Sequence, residues 1–381
     1  MIDPRMTRTW AEISLSALRH NARELRRSLP EGSALLGVVK ANAYGHGAIP
    51  VAAALREAGC AYLAVACAEE ALELRRAGET LPILILGAAD AAFAPALAAA
   101  EVTLAVECAE KGRDLSAALA PGQTLKIHIK LDTGMGRLGF PAGDAEALRA
   151  AAAVMALPGL VTEGVFTHFS VSDTPGGERY TAGQLALFRA AADKLEELSG
   201  KKIPLRHCAN SGAMVYHRDE GVCMDLVRPG LLTYGILPGE ETGGLSLTPV
   251  MTVKSRIAAV TRHRKGDSIS YGRTWTAERD TLLAVMPMGY ADGLPRCLSG
   301  KLQVMVRGVR VPQVGRICMD MCMLDITDHP EIAPGDVATV FSDGIDGAPT
   351  ARELAALADT IPYELTCGIS LRVPRIYSDD V

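Results

Sequence analysis

The first 240 residues alternate between short apolar runs and alanine- and leucine-rich stretches with helical spacing. Few architectures accept that alternation. A strand that reads as a near-continuous apolar run must be covered on both faces, and helices between such strands supply the cover in parallel βαβ units. The runs are LLGVV at 35–39, AYLAVA at 61–66, LPILIL at 81–86, VTLAV at 102–106, LKIHIKL at 125–131, LVTEGVFTHF at 160–169, IPLRHC at 203–208 and MDLVRPG at 224–230. Between them ISLSALRHNARELRRSL, IPVAAALREAG and AEEALELRRAG carry helical spacing. Eight parallel strands close into a (β/α)8 barrel, so residues 1–240 are expected to form one.

PGEETGG at 238–244 reads as a linker. After it the helical spacing largely vanishes. TPVMTVKSRIAAV, DSISYGRTW, DTLLAVMPMGY, LQVMVRGVRVPQV, MCMLDIT and DVATVF read as strands, punctuated by Gly, Asp and Pro, with one helix at 351–361. Residues 241–381 are therefore expected to form a mainly β domain, and the fold class is α/β plus β.

The net charge of −5 comes without a basic block, which argues against a nucleic-acid partner. The N-terminus MIDPRMTRTWAEI has no apolar core of a leader, and no apolar run is long enough for a membrane. The nine cysteines are scattered, without zinc-type spacing, and read as free thiols in a reducing cytosol. The expectation is a cytoplasmic protein with no metal.

In a barrel of this type the C-terminal ends of the strands line the active site. Five of those ends carry polar residues: Lys40 after the first; Lys130 and Asp132 at the fifth, followed by TGMGRLG with Arg137; His168 at the sixth; Asn210 and Ser211 after the seventh; Arg228 at the eighth. The loops ANSG and RPGL after the last two strands fit a phosphate cradle, although Ser211 also suits the cap of the next helix. A phosphate site with a lysine and an arginine at one mouth points to pyridoxal 5'-phosphate, whose aldehyde a lysine can hold as a Schiff base.

VVKANAYGHG, KLDTGMGRLG, FTHFS, HCANSG, VRPGLLTYG, SYGRTW, MGYADGLPR, VGRICMDM and IPYELTCGIS together resemble the signatures of alanine racemases, in that family's order, from about residue 35 to the C-terminus. The resemblance implies a pyridoxal phosphate enzyme that interconverts L- and D-alanine and supplies D-alanine for peptidoglycan. It also implies a homodimer with active sites shared between chains. It makes Lys40 the cofactor lysine and one catalytic base, and Tyr271, donated by the partner chain, the other. Tyr44, Ser211, Gly230, Leu231 and Tyr363 match phosphate contacts, and Asn210 stands with them. Arg228 matches the arginine facing the pyridine nitrogen, and His168 matches a residue hydrogen-bonded to it. Arg137 and the backbone of Met319 match groups near the substrate carboxylate. Lys130, carbamylated in many members, holds that arginine; Cys318, Asp320 and Tyr290 are supporting positions.

Two bases suit the reaction, since the proton leaves one face of Cα and returns on the other. A tyrosine, with a pKa near ~10, needs cationic neighbours to act as a base. A guanidinium at the pyridine nitrogen would weaken the electron sink and limit side reactions. Each polar residue also has a plainer reading: Arg137 as a solvated loop arginine, His168 as a satisfied strand-end histidine, Tyr290 and Tyr363 as core aromatics, Cys318 as packing. The competing functions are a serine or broader racemase, a decarboxylase of the same fold, a cofactor carrier and a phosphosugar enzyme. The decarboxylase would lack SYGRTW and CMDM, the carrier would lack the β domain, and the phosphosugar enzyme would not need Lys40 with Tyr271.

Overall fold

The computed structural model describes residues 8–379, so the part of the leaderless reading that rests on residues 1–7 lies outside them. The chain divides into two compact units. Residues 18–43 and 48–247 form one, and residues 8–17, Tyr44–Gly47 and 248–379 form the other.

The first unit is the parallel barrel. Its eight strands are Ala34–Val38, Tyr62–Val65, Ile83–Ile85, Val102–Val106, Leu125–Asp132, Leu160–Phe166, Leu205–His207 and Leu226–Val227. They pair in that order, and the eighth closes on the first through Leu226↔Ala34 and Val227↔Leu35. Between the seventh and eighth, Asp225 N–H donates to Arg206 O at 3.1 Å and Arg228 N–H to Ala209 O at 3.0 Å. The second, third and fourth strands are buried at every position, as expected for strands covered on both faces. The helices expected from spacing run over Leu15–Arg27, Ala48–Glu57 and Ala68–Arg76.

The second unit is built on a nine-stranded sheet in the order 259–263, 281–286, 322–325, 309–314, 303–306, 337–341, 251–256, 9–14 and 375–378. Met251–Arg256 alternates buried and half-buried positions, the pattern of a sheet with one drier face. Three features depart from the sequence reading. Thr9–Ser14, read with residues 1–240, instead pairs antiparallel with Met251–Arg256 and parallel with Arg375–Ser378. Arg375–Ser378 is a strand that the apolar pattern did not reveal. The helix expected over 351–361 stops at Leu357, and a second spans Pro362–Gly368. All nine cysteines are free, and no helix among the described residues is long and apolar enough to cross a membrane.

Candidate active site

At the C-terminal end of the barrel six of the sequence-derived residues lie close together: Lys40, Lys130, Asp132, Arg137, His168 and Arg228. Lys130 ends in the interior, only 6% exposed; burial, then the charges of Arg228 and Arg137, hold its amine well below the ordinary lysine range, with Asp132 opposing. His168 is pushed well below the usual imidazole range by burial and by Arg228, Lys130, Arg137 and Lys40, in that order. Four basic side chains from three strand ends therefore act on one imidazole, which is the electrostatics of an anion site. Arg228 is buried, which lowers its guanidinium to about 10, so it stays charged at neutral pH. Burial pushes Asp132 up, but N–H groups of Gly134, Gly136 and Met135 bring it below its ordinary value. Gly134 N–H donates to Asp132 Oδ1 at 2.8 Å and Gly136 N–H to Oδ2 at 2.9 Å, which shapes the loop carrying exposed Arg137.

The hydrogen bond expected from His168 to Arg228 is made instead by His207. Arg228 Nη1 donates to His207 Nδ1 at 2.6 Å, while Nη2 donates to Thr167 O at 2.8 Å and Cys208 O at 3.1 Å. A guanidinium only donates, so His207 must accept on Nδ1 and carry its proton on Nε2. That N–H then donates to His128 Nδ1 at 2.8 Å, which leaves the His128 proton on Nε2, 3.5 Å from Glu163 Oε2. Tyr62 also donates to Glu163, and Lys126 lies 3.2 Å from it. Both imidazoles are neutral: burial lowers each, and Arg228 reinforces the shift in His207. Glu163 is held at about 2 despite burial, by His128 and Tyr62.

Sequence reasoning missed this buried chain, although one signal was present. In LKIHIKL the polar residues fall at 126, 128 and 130, one face of a strand, and that face is the barrel interior. The His128 ring passes directly over Gly164, where a Cβ would lie 2.6 Å from the ring carbon Cε1. Phe166 stacks on His207 with centroids 4.8 Å apart, and Lys130 Nζ sits 4.4 Å over the Phe166 ring.

The stretch after Lys40 is not an irregular loop. Ala41, Asn42, Ala43 and Tyr44 all have φ of 53–54°, so the chain makes a left-handed helical turn. Non-glycine residues disfavour that region by ~1–2 kcal/mol each, so the turn requires compensating bonds. Ala43 N–H donates to Val39 O at 2.8 Å, Ala41 N–H to Glu70 Oε1 at 2.6 Å, and Ala48 N–H to Asn42 Oδ1 at 2.8 Å.

After the seventh strand it is Asn210, not Ser211, that caps the helix Ser211–Tyr216: its side-chain oxygen accepts from Ala213 N–H at 2.9 Å and from Ser172 Oγ–H at 2.8 Å. Ser211 Oγ instead accepts from Leu232 N–H at 3.4 Å, which ties this loop to the helix Gly230–Thr233 after the eighth strand. Gly230 and Leu231 stand in that helix's first turn, where N–H groups have no helical acceptor.

The remaining candidates lie in the β unit. Tyr44 and Tyr363 are brought together, with ring centroids 5.5 Å apart; burial, then Tyr363 and Cys367, raise the Tyr44 phenol above its ordinary value. Gly45 beside them has φ +83°, and a Cβ there would lie 2.0 Å from Thr366 O. Tyr271 stands 70% exposed in a turn strained at Ser270, φ 67° and ψ −179°, a region almost confined to glycine. Ser270 Oγ holds that turn by donating to Arg316 O at 2.7 Å and lies 3.5 Å from Cys318 Sγ. Met319 is 52% exposed, its carbonyl accepting from Ala291 N–H at 3.0 Å. Asp320 accepts from Arg372 at 2.9 Å, and Tyr290 is exposed. Tyr271, Tyr290 and half-buried Tyr363 are thus not core aromatics in this chain.

The chain is similar to known proteins along both of its units. Residues 13–238 match the alanine racemase N-terminal domain and residues 250–377 the alanine racemase C-terminal domain. An alanine racemase of Desulforamulus reducens is 44% identical over 372 residues, covering 97% of this chain and 98% of the relative. One from Desulfovibrio desulfuricans is 42% identical over 372 residues, covering 97% of each. Among solved structures, the alanine racemase of Clostridium difficile 630 superposes with a TM-score of 0.92 at 36% identity, covering 98% of this chain and 96% of that one. The Bacillus anthracis alanine racemase with bound L-Ala-P gives 0.91 at 35% identity, covering 97% and 95%. With both domains matched in order over nearly the whole length, the chain belongs to the alanine racemase family.

Proposed function

We propose that this chain racemises alanine with two proton-moving groups, the Lys40 amine and the Tyr271 phenol, with pyridoxal 5'-phosphate as its resident cofactor. The observation that carries the reading is the convergence of Lys40, Lys130, Arg137 and Arg228 on His168. A dianionic phosphate and a substrate carboxylate are the partners such a mouth would take. Ser211, Gly230 and Leu231, with Tyr44 and Tyr363, would hold the phosphate; Asn210 shapes their loop by capping. When bound, the cofactor supplies an electron sink that makes the substrate Cα proton acidic.

Arg228 would face the pyridine nitrogen as a fixed cation, because its guanidinium stays charged and Thr167 O, Cys208 O and His207 orient it. Arg137 and the Met319 backbone would orient the alanine carboxylate. The depressed basicity of Lys130 fits a neutral amine able to take up carbon dioxide as a carbamate, whose negative charge would then hold Arg137. Lys40 would take or return the proton on one face of Cα and Tyr271 on the other.

Tyr271 and Met319 are exposed, as are Tyr290, Met321 and Leu371 of the same unit. This supports a homodimer in which the β unit of one chain completes the barrel mouth of the other. The enzyme would work in the cytoplasm, and its product would feed the D-alanine requirement of a peptidoglycan wall.

The test is chiral chromatography of L-alanine incubated with the protein in D2O, with Lys40→Ala and Tyr271→Phe alongside. The expected outcome is D-alanine deuterated at Cα with the parent protein and with neither variant. Deuterium entering L-alanine without D-alanine would remove Tyr271 from its role.

A further inference from the structure

We propose that Glu70 is a positioning residue for Lys40, acting through the left-handed turn. Its carboxylate uses one oxygen for each of two strand ends. Oε1 accepts from Ala41 N–H at 2.6 Å, the residue after Lys40, and Oε2 accepts from Ala66 N–H at 2.8 Å, just beyond the second strand. On the other side of Lys40, Val39 N–H donates to Ala64 O at 2.8 Å, the last ladder bond between the first two strands. The Lys40 backbone is therefore pinned on both sides to the same neighbouring strand.

The pin is needed because the turn is unfavourable by itself. Four successive non-glycine residues from Ala41 to Tyr44 have positive φ, and of these only Asn42 is of a type that adopts that conformation readily. The bond from Ala43 N–H to Val39 O closes the turn across Lys40 but does not refer it to the rest of the barrel. Glu70 does, from the first turn of the helix Ala68–Arg76, where a carboxylate is favoured. A lysine that must reach both a cofactor aldehyde and one face of a substrate carbon depends on its backbone direction. A displacement on the order of 1 Å at such a site changes rates by about a hundredfold.

Glutamine at 70 keeps the size but supplies one acceptor oxygen where two N–H groups ask for two, so one donor faces an NH2. The inference rests on Lys40 being the cofactor lysine, and the test separates the two ideas. Apoprotein of the parent, Glu70→Gln and Glu70→Asp is mixed with pyridoxal phosphate and quenched with borohydride at timed intervals, and label on Lys40 is read by peptide mass spectrometry. Amide exchange over residues 39–47 is measured in the same samples, with 102–106 as the control.

Labelling of Lys40 is expected to slow by about tenfold in Glu70→Gln, the effect of losing one charge-assisted bond. Exchange over 39–47 should rise by at least about tenfold with the control unchanged. Glu70→Asp, too short to reach both donors, should fall between, and it carries the comparison if the glutamine variant fails to fold. Faster exchange with parental labelling would overturn the proposal, since the turn would then be loosened without consequence for Lys40. Unchanged exchange would overturn it too, because Glu70 would not be holding the turn. No label on Lys40 in the parent protein would refute the cofactor reading itself, and this inference with it.

Discussion

Glu163 is where the buried histidine chain ends in a charge, and its replacement by glutamine gives a quantitative test. The carboxyl is held at about 2 rather than 4.5, because His128 beside it and the bond from Tyr62 outweigh burial. That difference corresponds to about 3 kcal/mol favouring the folded state at neutral pH. The folded value is the depressed one. The contribution is therefore complete above about 4.5 and is lost as pH falls through about 2. Glu163→Gln should lower the apoprotein's unfolding free energy by about 3 kcal/mol at neutral pH in urea titrations followed by circular dichroism. The parent's advantage should shrink steadily in acid. Using apoprotein keeps cofactor linkage out of the comparison. Nitrogen NMR of the two rings should place protons on Nε2 of both His128 and His207 in the parent and in the variant, because Arg228 sets that order. A deficit under about 1 kcal/mol, or one that does not change with pH, would mean that Glu163 is a solvated group.

Gly164→Ala should destabilise the barrel by about 1–3 kcal/mol in the same titration, because the new methyl meets the His128 ring and the chain has no room to yield. Parental stability would show that the ring can move aside. Arg228→Glu replaces the buried cation with a group that can share a proton with the pyridine nitrogen. Pyruvate release from alanine, the mark of transamination, should rise by at least about tenfold over parent. Parental levels would refute the idea that the guanidinium restrains the electron sink.

The barrel was legible because several of its strands are near-continuous apolar runs, and all eight strands fall where the runs lie. Thr9–Ser14 was not, because TWAEIS is short and runs without a break into the helix at Leu15. The left-handed turn was illegible for a stronger reason: KANAY contains no glycine, and its conformation is imposed by Glu70 and Asn42. FTHF and LRHC each put a histidine near a strand end. Only three-dimensional geometry distinguishes His207, bonded to Arg228, from His168, which faces the cationic cluster. Glu70 looked like an ordinary acidic residue in a helix's first turn, and nothing in its sequence neighbourhood marks the bonds it makes.

The place of Thr9–Ser14 in the sheet has a consequence for how the chain is made. That strand leaves the ribosome well before either of its neighbours, Met251–Arg256 and Arg375–Ser378, which are synthesised far later. At roughly 5–20 residues per second, the wait for the last neighbour is on the order of half a minute. The barrel segment can emerge and close in that interval, while the apolar side of TWAEIS has no native cover. A truncation near residue 240 would make that wait permanent. Such a fragment is therefore expected to need a chaperone or to aggregate through this strand, even though the barrel it carries has all eight of its own.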